Sequence, residues 1–184
     1  KLWLEEGVSE FFREIRSQIL PSGPTYERSV FYHRLVTEII TYTTIELRHN
    51  DKEVPTDIWF RIEKMLEFIM YYTRPDGNAP IIGDQDDGRF LPFSIQGNRD
   101  HRYLLSVGAE LFNRRDFDYY SSGTNEETTI FFSSSKHRKS TKFLTEESLT
   151  SCAFKDAGFY IIRNKGDYVF VNLSGKGRYP EKPA

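Results

Sequence analysis

Apolar residues recur every three or four positions along most of the first 115 residues. Leu4, Val8, Phe11, Phe12, Ile15 and Ile19 follow that spacing and predict an amphipathic helix. It stops before Pro21-Ser22-Gly23-Pro24, a loop by composition. A second helix is expected from about Ser29, whose hydroxyl suits an N-cap. Its predicted buried stripe is Tyr32, Leu35, Val36, Ile39, Ile40, Thr43 and Leu47. It ends at Arg48-His49-Asn50-Asp51, where basic groups suit the negative end of the helix dipole. Pro55-Thr56-Asp57 opens a third, with Thr56 as the expected cap and Ile58, Ile62, Met65, Leu66, Ile69 and Tyr72 inward. A fourth is expected from about Asp100 to Arg114, burying Leu104, Leu105, Val107, Leu111 and Phe112. Long helices joined by loops suggest stacked antiparallel hairpins. Between the third and fourth, residues 73–100 form a long irregular stretch, and such loops inside compact domains are usually functional.

Past residue 115 the period changes. Residues 116–127 are polar, and Thr128-Thr129-Ile130-Phe131-Phe132 reads as a short strand. Residues 133–142 read as a basic solvated loop, with a short helix after Thr145. Residues 159–163 and 168–173 form a predicted hairpin, with Gly166 placed for a left-handed turn position. Val169, Val171 and Leu173 share one face of its second strand, Tyr168 and Phe170 the other, so both faces are expected to be covered. Two strands cannot cover both. The fold class is therefore α+β, with residues 1–115 helical and 116–184 a linker and opening strands.

The chain has 184 residues and 38% hydrophobic content, enough for a core of about one domain. Its net charge of −2 excludes a strongly basic nucleic-acid module and an acidic disordered tail. The single cysteine, Cys152, excludes an intrachain disulfide and has no partner histidine in its local pattern. No apolar run approaches the ~18 residues of a membrane span. The start at Lys1 and the stop after GKGRYPEKPA read as the ends of a piece of a longer protein. Oligomeric state is left open.

The candidate chemistry lies in two places. Gly83-Asp84-Gln85-Asp86-Asp87-Gly88-Arg89 resembles a calcium loop, but Gly88 falls one position early and the closing Glu is missing. It reads as a tight turn or as a carboxylate-and-arginine group that orients site residues. The second place, Tyr26 through Arg34, spans a loop-to-helix junction, where side chains are held rigidly yet can face a cleft. Tyr32 falls on the stripe of Leu35 and Ile39, so by pattern it is either a core tyrosine with a satisfied hydroxyl or a cleft residue. His33 points about 100° away from it, so the two do not form a direct pair. His33, His49, His101 and His137 make no HxxxH spacing, and no metal or cofactor is expected.

Glu27-Arg28-Ser29 with Tyr32-His33, followed by Pro75-Asp76-Gly77-Asn78-Ala79-Pro80 and then Gly83 through Arg89, resembles the heparinase II/III-type polysaccharide lyases. Asp156-Ala157-Gly158 through Arg163 is similar to the first strands after that family's helical domain. The resemblance implies an incomplete α/α toroid followed by the first strands of an antiparallel β-sandwich. It implies β-elimination at a uronic acid: the sugar carboxylate is neutralised, a base takes the C5 proton, and an acid protonates the departing O4. It assigns Tyr32 as the catalytic tyrosine and carries His33 and Arg89 over to substrate orientation or structure; Arg28 and Asp84 are further candidates for substrate binding. The family's carboxylate-neutralising Asn and its catalytic histidines lie in segments outside these residues, so the 184 residues alone are expected to lack lyase activity. The implied partner is an acidic polysaccharide, in the periplasm or cell envelope. The alternatives are a non-catalytic acidic-glycan-binding or surface-polysaccharide assembly protein, holding polyanions with Arg99, Arg102, Arg114 and Arg115, and a helical interaction domain without a glycan.

Overall fold

The structure, a computed structural model, describes residues 2–91, 93, 97–121, 123, 126–132, 149–164 and 166–173. The short helix expected after Thr145 and the basic loop 133–142 lie outside them. Among the described residues six helices precede a three-stranded antiparallel sheet, the expected α+β class. Helix α1 spans Leu2–Gln18, α2 Val30–His49, α3 Thr56–Tyr72, α4 Tyr103–Phe112, α5 Arg115–Tyr120 and α6 Glu126–Phe131. No helix of the described residues is long and apolar enough to cross a membrane.

Helix α3 is the hub, packing against α1, α2, α4 and α5. Ile58, Ile62, Met65, Leu66, Phe68, Ile69, Met70 and Tyr72 are all buried, so it is apolar around most of its circumference. Helix α1 docks on it through Phe12 and Ile15. Pro55, not Thr56, occupies its N-cap and makes no side-chain cap bond; Thr56 is the first helical residue. Ser29 caps α2 as expected, accepting the Tyr32 N–H at 3.2 Å. Helix α4 starts later than the pattern predicts, because the Asp100 carboxylate turns back onto the Arg102 N–H and guanidinium.

Two findings correct the sequence reading. Residues 128–131 are helical, not a strand: Glu126 and Glu127 supply acidic groups for a first helical turn, and Phe131 packs on Tyr42 with ring centroids 4.7 Å apart. The most buried face of α2 is also its polar one. His33, Arg34, Thr37, Glu38, Thr41 and Thr44 are buried, whereas Tyr32, Leu35, Val36 and Ile39 are only half-buried. On that face Glu38 meets Arg89 of the loop and Arg34 of its own helix, Arg34 also the Asp86 carbonyl, His33 the Met65 carbonyl of α3 and Thr37 the His33 carbonyl, contacts that periodicity does not carry.

The sheet order is β1 (Cys152–Phe154), β2 (Phe159–Asn164), β3 (Asp167–Asn172). In the β2–β3 register Ile161 faces Phe170 and Arg163 faces Tyr168. One face turns onto the helical layer, with Phe68 stacked on Phe159 at 5.6 Å and the Tyr168 hydroxyl donating to the Tyr72 carbonyl at 2.7 Å. On the other face Ile162 and Val169 are about half exposed, so among the described residues only one face is covered. Gly166, at φ 102°, takes the left-handed turn position.

Candidate functional site

Three contacts bring the start of α2 and the 82–89 loop together. The Val30 N–H donates to the Ile82 carbonyl at 3.0 Å, Ser29 Oγ donates to the Asp84 carbonyl at 2.7 Å, and Arg34 Nη2 donates to the Asp86 carbonyl at 3.3 Å. Gly83 is required at this joint. Its φ is +75°, and a Cβ there would lie 2.8 Å from Ser29 Cα. The two motifs picked out in the sequence thus form one structural unit. Ser29 links its parts, capping the helix with one lone pair and holding the loop with its proton.

Tyr32 stands in the first turn of α2 beside this joint. It is half-buried, while Phe31, His33 and Arg34 around it are buried. Its hydroxyl has no hydrogen-bond partner among the described residues. Three other phenols are engaged, Tyr72 with His101 Nδ1 at 2.7 Å, Tyr103 with Glu38, and Tyr168 with the Tyr72 carbonyl, whereas the unpartnered Tyr42 hydroxyl is buried out of reach of any ligand. A buried phenol usually finds a partner, so an uncommitted hydroxyl on a partly exposed ring is available to an incoming group.

The other expected site residues fall in different environments. Arg28 is half-buried in the left-handed conformation, at φ 58°, and its carbonyl lies against Gly83. Asp84 is exposed and meets α2 through its backbone carbonyl, not its carboxylate. The turn's carboxylate contact comes from Asp86, which accepts the Gly88 N–H at 2.7 Å. His33 is wholly buried in the core: Nε2 meets the Met65 carbonyl at 3.1 Å and the ring lies edge-on to Phe68. Burial pushes its pKa down to about 4, so the imidazole is neutral, with Nε2–H as donor to the carbonyl. In this chain it meets protein atoms and not solvent.

Arg89 is committed to a buried ionic cluster. Its guanidinium meets Glu38 at 2.6 Å and Glu127 at 2.9 Å and sits 4.1 Å from the centre of the Tyr103 ring. Glu38 also pairs with Arg34 at 3.4 Å and accepts from the Tyr103 hydroxyl and from the Phe90 N–H at 2.7 Å. Two arginines and two glutamates balance, which is what makes such burial tolerable. The cluster joins α2, the 84–90 segment, α4 and α6 behind Tyr32. The Arg34 and Glu38 spacing of four on one helix face was legible as an ion pair; its burial was not.

A hollow of about 700 Å³ lies between the 74–81 loop, Arg99 and strand β3. Arg74, Asp76, Arg99, Asp167, Tyr168 and Phe170 are among its lining residues. Of the arginines singled out for holding polyanions, Arg102 is chelated by Asp100 and Arg114 by Glu63, Glu67 and Asp116. Arg115 is exposed.

The family model described as Heparinase II/III N-terminus matches residues 1–94. A heparin-sulfate lyase of Pedobacter heparinus is 24% identical over 187 residues, covering 98% of this chain and 25% of that protein. The crystal structure of heparan sulfate lyase HepC from Pedobacter heparinus superimposes with a TM-score of 0.66 at 21% identity, over 96% of this chain and 25% of that one. The chain therefore spans about a quarter of the length of these relatives. It shares the fold of the corresponding segment.

Proposed function

Because the chain belongs to the heparinase II/III N-terminus family, we propose that it is the tyrosine-bearing part of a polysaccharide lyase that cleaves a uronic-acid-containing polysaccharide by β-elimination. The observation that supports this most is the uncommitted Tyr32 hydroxyl, half-exposed at a helix start that Ser29 and the 82–84 backbone hold rigid. The C5 proton of a uronate is poorly acidic while its carboxylate is charged. Neutralising donors make the carbanion-like state accessible. In this reading a base takes the C5 proton and Tyr32 gives its own proton to O4, as the C4–O4 bond breaks and the C4=C5 double bond forms. Proton transfer of this kind contributes ~10²–10⁴-fold in rate. The Arg34–Glu38–Arg89–Glu127 cluster does not touch the sugar. It holds α2 and the loop in one geometry, and Arg28 and Asp84 stand at the rim. Helices α1 to α6, through Phe131, form the helical unit, and strands β1 to β3 begin the sheet domain.

The test is ultraviolet absorbance of unsaturated uronate, measured with the full-length polypeptide on several uronic polysaccharides and on their carboxyl-reduced forms. Product from the uronates and none from the reduced forms is expected. Binding without product supports a non-catalytic glycan-holding protein and overturns the lyase reading.

A further inference from the structure

We infer that Arg99, on the wall of the hollow between the 74–81 loop and β3, is an anchor for an oxyanion of an acidic sugar, a carboxylate or a sulfate, at a subsite beyond Tyr32. This deepens the lyase reading and rests on it for the nature of the ligand. The two arginines of the hollow differ in their commitments. Arg74 is paired with Asp76 at 3.2 Å. Arg99 has no carboxylate within ion-pair distance among the described residues. Its Nη2 donates to the Ala79 carbonyl at 3.3 Å, and its own carbonyl accepts the Ala79 N–H at 2.7 Å. The guanidinium is therefore steadied by the loop without an ion pair of its own: the Asp76 carboxylate feels its charge but is engaged by Arg74 and the Asn78 N–H. A planar guanidinium in that state suits carboxylate and sulfate geometry.

The rest of the hollow suits a sugar. Tyr168 and Phe170 supply aromatic surface, and the Tyr168 hydroxyl, donated to the Tyr72 carbonyl, fixes the first ring. Asp167 and Asp76 are acceptors for sugar hydroxyls. The hollow also lies close along the chain to the cap of α2. Ile81 lines the hollow, and three residues on Asp84 is tied to Ser29, so at most about 11 Å of chain joins this wall to the cap of α2.

The experiment is equilibrium binding of a defined uronate-containing sulfated oligosaccharide to the full-length polypeptide, in a Tyr32→Phe background so that the probe is not consumed. Arg99→Gln is expected to weaken binding about tenfold. Ile81→Glu, which sets a carboxylate in the same hollow from an exposed loop position, is expected to weaken it similarly and covers the case in which Arg99→Gln fails to fold. Repeating the titration with carboxyl-reduced and with desulfated probe identifies the oxyanion as the group whose removal abolishes the Arg99 effect. Unchanged affinity in either folded variant overturns the inference, as does an Arg99 effect that survives removal of both groups. Product from wild-type protein with no Arg99 effect removes this inference alone. Arg99-dependent binding without product removes the lyase reading alone.

Discussion

His33 and His101 are both held neutral by burial, at about 4 and about 3 against an ordinary 6.5. The unfolded chain binds more protons than the folded one between those values, so stability is complete above about 6.5 and falls as pH drops toward 4 and then 3. Each histidine contributes at most ~1.4 kcal/mol per pH unit. Urea unfolding between pH 6.5 and 4 is expected to show this loss, with a shallower slope in His33→Gln; an unaltered slope in that variant contradicts the assignment. At this scale the sequence was partly legible. The Ser29 cap and the Gly83 turn follow from residue chemistry. The burial of His33 does not, because it depends on the Met65 carbonyl and the Phe68 ring of another helix.

At the scale of elements, the joint between α2 and the 82–90 segment is held by a buried ionic cluster and a left-handed glycine. Arg89→Met leaves Glu38 and Glu127 facing each other without that cation and is expected to cost about 3–5 kcal/mol in denaturant unfolding. Gly83→Ala is expected to cost about 2 kcal/mol, since it combines a left-handed backbone with a clash on Ser29. A loss under about 0.5 kcal/mol in either variant contradicts the joint as described. The apolar stripe of α2 showed that a helix exists, but it pointed to the wrong face. Periodicity marks the face that meets apolar neighbours, and here the deeper face meets Arg89 of the loop, itself paired with Glu127 of α6, and the Tyr103 hydroxyl of α4. Residues 128–132 misled for a related reason: β-branched and aromatic residues favour a strand locally, and packing of Phe131 on Tyr42 decides otherwise.

For the whole molecule, the architecture of α-hairpins followed by an antiparallel sheet was legible because helical and strand periods occupy separate stretches of chain. The groups that would complete the chemistry lie in other segments of a longer polypeptide under the lyase reading. Groups that act as a unit lose most of their effect when one is missing. The isolated 184 residues are therefore expected to form no unsaturated product from any uronic polysaccharide, and product from them contradicts the division of labour. The most direct measurement compares steady-state product formation by the full-length polypeptide and by Tyr32→Phe, with affinity for the same oligosaccharide measured beside it. A fall of ~10²–10⁴-fold in turnover with affinity nearly unchanged is predicted. Turnover within about threefold of wild type would place the proton transfer on another group and contradict the account.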